Sequence, residues 1–154
     1  MNMQLSKSPI GLDGIPAAET VLSHVDGERG ELIIAGERVG DLVHKTGFEG
    51  ATARLWSGGT GQPVGEATVR AALGAARERA FARLPELMGI TRGLSIVDGF
   101  RAAIAGLRAE PGLPHEATIV GAFPVIAGAL VQRAKGGDPS RPIRPPATPP
   151  TRCR

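Results

Sequence analysis

The chain has 154 residues, enough for one domain that buries about two-thirds of the surface its unfolded form exposes. It contains no tyrosine and only 3% aromatic residues, so its core must be assembled from alanine and medium-sized aliphatic side chains, and an aromatic platform for stacking nucleobases is excluded. The net charge of +3 is uneven: residues 1–50 carry −4 and the remainder +7, but the arginines of that remainder are scattered over helix faces and the C-terminal end, without the clustering that a nucleic-acid partner requires.

Residues 1–18 carry the breakers Pro9, Gly11, Gly14 and Pro16 and little periodicity, which predicts an extended arm. Residues 20–25 and 31–35 are rich in β-branched and aliphatic side chains. Asp26, Gly27 and Gly30 lie between them, so a small β-hairpin is predicted. Such a hairpin is marginal alone and needs helices to pack on. A short helix is expected over 39–44 and another over 48–56, ended by Ser57, Gly58 and Gly59, with Trp56 as a core anchor. After a loop at 61–65, residues 66–84 form an amphipathic helix whose apolar stripe is Val69, Leu73, Ala76, Ala80 and Leu84. Glu66 and Arg70 make a favourable i,i+4 pair on it. Pro85 is expected to end this helix, leaving 86–93 as a connector.

The organising stretch is 95–135, read as two helices folded back on each other. In the first, Val97, Phe100, Ile104 and Leu107 share a face, with Asp98, Arg101 and Arg108 elsewhere, and Ser95 followed by Asp98 is a capping-box-like start. The second is almost without polar residues from 117 to 131 before Gln132, Arg133 and Lys135 arrive. A helix apolar all round must be buried, and its run falls short of the roughly 20 residues that a bilayer needs, so a core or interface helix is expected rather than a membrane span. Pro124 should kink it by displacing the carbonyl of Val120. Gly99, Ala103 and Gly106 on one helix, and Gly121 and Gly128 on the other, leave shallow surfaces for close approach. From 137 on, prolines and arginines replace large apolar residues, so 137–154 is expected to be a disordered tail, and 19–136 the folded segment.

No constellation for catalysis or metal binding emerges. His24, His44 and His115 fall in a hairpin, a short helix and a helix start, without metal-ligand spacing. The glycine-rich runs 36–40 and 57–61 lack the lysine and following Ser/Thr of a phosphate loop. Cys153 has no base beside it and no partner for an internal disulfide, which fits a reducing compartment. The first residues contain no apolar run of export-signal length. A cytoplasmic protein with no membrane span is therefore expected.

Certain small signals recur in order: Gly-Leu-acidic-Gly at 11–14, Ala17-x-Glu19-Thr20, the turn from Asp26 to Gly30, Asp41-Leu42, and Gly47-Phe48-Glu49. This series resembles the opening of the citrate synthase family, including its methylcitrate synthase branch. The resemblance continues more loosely to about Pro145. Asp98 to Leu107 is similar to a family helix beginning near Met-Asp, and 117–139 to the next, in which a proline lies within an apolar run. It implies a mainly α fold: the helical part of a citrate-synthase-like large domain with a small N-terminal β-hairpin. It also implies pairing of two subunits through these helices, either as a homodimer or with another citrate synthase subunit.

The family condenses acetyl-CoA with oxaloacetate, using a histidine and an aspartate as acid and base, a second histidine, and arginines that hold carboxylates. Those residues belong to the part of the family's chain that would follow Pro146. No catalytic, cofactor-binding or metal residue is carried over, and no acetyl-CoA site is identified here. The tyrosine usual beside the hairpin is replaced around Gly36-Glu37, and the His-Pro before the Met-Asp helix is absent at 95–97. Two functional expectations follow: a segment of a citrate-synthase-type acyltransferase that is inactive alone, or a non-catalytic helical dimerisation module.

Overall fold

In the computed structural model, which describes residues 20–138, Asp26 turns the chain at the end of β1 (Ser23–Asp26). Its Oδ1 accepts the backbone N–H groups of Glu28 and Arg29 at 3.1 and 2.9 Å, an Asx-type turn. β2 (Glu31–Ile34) returns antiparallel, with Ser23 opposite Ile34 and Asp26 opposite Glu31. The predicted hairpin is present, and it is extended by a third strand, β3 (Glu37–Arg38), that the sequence reading lacks. Ile34 pairs with Glu37, so Ala35 and Gly36 alone make the turn. Both have positive φ, 48° and 83°, as a tight hairpin turn of primed type requires. Alanine in place of the usual Asn or Asp hides that signal.

α1 (Val39–Lys45) follows directly, with Asp41 in its first turn and His44 and Lys45 in its last, matching the helix dipole. α2 (Phe48–Thr60) runs one turn beyond its expected end at Trp56. Ser57 and Thr60 donate their hydroxyls to the carbonyls of Ala53 and Trp56, each at 2.7 Å, and a Cβ on Gly58 would stand 3.2 Å from the Leu22 side chain. Glycine thus leaves room for a neighbour here and does not stop the helix; Gly61, at φ 68°, does. Trp56 is only partly buried, so it is not the core anchor; Leu42, Gly50, Thr52 and Ala53 are the buried positions of these elements. Glu37 joins three elements, pairing with Lys45 of α1 at 3.4 Å and with Arg54 of α2.

These elements belong to one compact unit, up to Pro63; a second begins at Val64. α3 (Glu66–Ala82) ends two residues before the expected Leu84 and buries Val69, Leu73, Ala76 and Ala80 of the predicted stripe, whose last member, Leu84, falls in the next helix; Glu66 meets Arg70 at 2.6 Å. Pro85 does not lead into a connector. It sits in the first turn of a new helix, α4 (Leu84–Ile90), where its missing N–H would have no partner in any case. Leu84, Leu87 and Met88 turn inward from α4 at helical spacing. Gly93, at φ 74°, reverses the chain into α5 (Ile96–Ala105). Ser95 caps α5 as expected: its Oγ accepts the Asp98 N–H at 3.1 Å and donates to Asp98 Oδ2 at 2.8 Å.

α6 (His115–Ala134) runs through Pro124. It packs against α5, as the sequence predicts, and more extensively against α3. The expected pair is therefore a group around α6. Ala80, Leu84, Leu87, Met88, Ala103, Ala122, Ile126, Ala129 and Leu130 form its core, with Phe100, Ile104, Leu107 and Val125 packed against it. Each large aliphatic side chain sealed here contributes about 1.5–3 kcal/mol. At 20 residues and mean hydropathy 1.5, α6 is long and apolar enough to cross a membrane by length and composition, contrary to the count from its apolar run alone. It is not buried all round either, because Phe123 and Val131 stay open. The arm at 1–18 and the tail from 139 on lie outside the described residues.

Candidate pairing surface

Phe123, Ala127 and Val131 recur every fourth residue along the outer side of α6, with Pro124 and Gly128 beside them. Phe123 is 43% exposed and Val131 40%, a line of apolar side chains where a solvated helix carries charges. α5 continues the surface. Phe100 meets Phe123 edge-on, ring centroids 5.2 Å apart at 75°. Val97, one turn earlier on the face of Phe100 and Ile104, is 68% exposed, and Leu94 and Ile96 lie open at the start of α5.

The support behind this surface is rigid. A Cβ on Gly121 would stand 2.5 Å from Ala76 Cβ and 3.1 Å from the Leu73 carbonyl oxygen, so α3 and α6 touch backbone to backbone. On α5, a Cβ on Gly99 would meet Leu130 Cδ2 at 3.2 Å and Thr91 Cβ at 3.3 Å. Gly99 and Gly121 thus permit the close approaches that small residues predict. Arg133 then fastens the end of α6 to the end of α4. Its Nη1 donates to Thr91 Oγ1 at 2.6 Å and, at 3.4 Å, to the Met88 carbonyl, and its Nη2 donates to the Thr91 carbonyl at 3.1 Å. The guanidinium therefore adds charged donors to the carbonyls at a helix C-terminus, which also accept the Thr91 and Leu94 N–H groups at 3.3 Å each. Thr91, fully buried, also donates its hydroxyl to the Met88 carbonyl at 3.0 Å.

The connection from α5 to α6 is held by charge. Arg79 donates to the Pro111 carbonyl at 2.7 Å and lies 3.5 Å from Glu110; Arg83 lies 3.6 Å from the same carboxylate. Arg83 also grips Glu86 with two bonds of 3.2 Å. That hydrogen bond, followed by the charge of Arg83, holds the Glu86 carboxyl below its ordinary value. The bond to Glu86 raises the Arg83 guanidinium in turn, against the opposing effect of burial.

The residues from which chemistry could arise are dispersed. His24 is exposed on β1, His44 in the last turn of α1, and His115 at the first position of α6. Among the described residues no group of three or more His, Cys, Asp or Glu side chains is placed to hold a metal ion. Of the two glycine-rich runs, 36–40 forms the second hairpin turn, β3 and the start of α1, and 57–60 is helical. An open hollow beside the β-turns is lined by Arg29, Glu31, Arg38 and Asp41, but Arg38 is already paired with Glu31 at 2.5 Å. Cys153 lies outside the described residues. Sequence reasoning missed the distant partners of Arg133, Arg79 and Arg83, because each reaches across tens of residues to a group that no local spacing indicates.

A family model described as "Citrate synthase, C-terminal domain" matches residues 11–149. A citrate synthase of Haloferax volcanii is 38% identical over 56 residues, a stretch that is 36% of this chain and 14% of that protein.

Proposed function

Because the chain belongs to the citrate synthase family, we propose that its helices serve as the framework and subunit-pairing surface of a citrate-synthase-type acyltransferase. One observation carries this reading: the apolar outer line of α6 beside Phe100, backed by the tight α3–α6 contact. Such a face on a water-soluble protein calls for a cover. A second copy brings the same face to itself about a two-fold axis, so Phe123 would be buried against its counterpart. The packing of the opposite side of α6 on α3 and α5 supports a bundle helix over a membrane span, and the isolated Cys153 supports a reducing cytoplasm.

In this reading, the family reaction joins acetyl-CoA to oxaloacetate or to a related 2-oxo acid. Its acid, base and carboxylate-holding groups come from polypeptide outside this sequence, and no site for acetyl-CoA is assigned to the helices described. The same surface could equally pair with a complete citrate synthase subunit. Sedimentation tests the pairing. A dimer at micromolar concentration is expected, and a well-folded monomer there overturns the proposal. Binding to a separate citrate synthase subunit with no self-association favours the partner form.

A further inference from the structure

We draw no further inference here: the strongest candidate, the surface cluster of Arg79, Arg83 and Glu110 that fastens the α5–α6 connection to α3, carries nothing because its charges already satisfy one another, Glu86 and the Pro111 carbonyl, and among the described residues no unpartnered buried polar side chain points to a ligand.

Discussion

Gly121 of α6 faces Ala76 of α3 so closely that a Cβ on the glycine would lie 2.5 Å from that of the alanine. The next nearest atoms, the Leu73 carbonyl oxygen and the Arg77 nitrogen at 3.1 and 3.4 Å, are backbone and cannot rotate away. Gly121→Ala should therefore destabilise the protein by about 1–3 kcal/mol by overpacking, although alanine favours a helix by up to about 1 kcal/mol. Gly74→Ala is the counter-experiment. Nothing lies within 4 Å of its would-be Cβ, so there the propensity gain should appear uncancelled. Urea unfolding of the two variants decides it, and equal stabilities would contradict the contact.

Phe123→Glu should abolish association while leaving helical content close to that of the parent, since the ring is partly exposed and its loss costs mainly the pairing surface. Ile126→Asp is expected to behave differently. That side chain is fully buried in the core, and an unpaired carboxylate there should cost several kcal/mol and unfold the helices. Sedimentation and circular dichroism separate the two. An associated Phe123→Glu would place the interface elsewhere.

Arg133→Met keeps much of the aliphatic stem but removes the charged donors at the end of α4. The loss should be about 1.5–3 kcal/mol, because the carbonyls of Met88 and Thr91 lose their charged partner. Lysine should not restore it, since one ammonium cannot reach both carbonyls and the Thr91 hydroxyl in the geometry of a guanidinium fork. Hydrogen exchange would report the change as faster opening at the end of α4, and unchanged exchange would show the clasp to be idle.

The Arg83–Glu86 pair predicts a pH dependence of definite sign. The folded-state value of the Glu86 carboxyl is depressed, so its contribution to stability is present above the unfolded value, about 4.3, and is lost as pH falls through the folded one. Glu86→Gln should be less stable than the parent near neutral pH and equal to it in strong acid. Glu86 is exposed and Arg83 half-buried, so raising the salt concentration should shrink the difference in part. A gap that persists in acid would assign the effect to something other than this charge.

With acetyl-CoA and oxaloacetate, the purified chain is expected to release free CoA no faster than buffer does. The proposed framework reading leaves the acid, base and oxyanion donors to other polypeptide, each such group being worth about a hundredfold or more in rate, and the three histidines stand apart on exposed positions. Release dependent on both substrates would overturn the framework reading. Release that appears only when a polypeptide carrying the remainder of the family's chain is added would favour a two-part enzyme over an independent module.

Signals that act within a few residues were legible in the sequence: the Ser95–Asp98 cap, the Asp26 turn, and the Val69-to-Ala80 stripe all stand where periodicity and capping chemistry put them. Signals with two meanings were not. Proline marks both the end of one helix and the first turn of the next, and only the inward spacing of Leu84, Leu87 and Met88 shows that Pro85 does the second. Glycine is similar: Gly58 admits Leu22 within a helix, whereas Gly61 stops one. That α6 is apolar all round could be read from the sequence, but which side would be covered and which left open depended on Ala76, a residue that nothing near Gly121 in the sequence indicates.

The clasp of Arg133 has a consequence for the order of assembly. It joins residues 45 apart in sequence, Met88 and Arg133, and so encloses all of α5 in one loop. Closing a loop of that length costs chain entropy that grows as about (3/2)RT ln n, whereas the reversal between α4 and α5 closes over only a few residues. The short reversal should form early and the clasp late, so Arg133 should exert its effect on the unfolding rate and leave the refolding rate nearly unchanged.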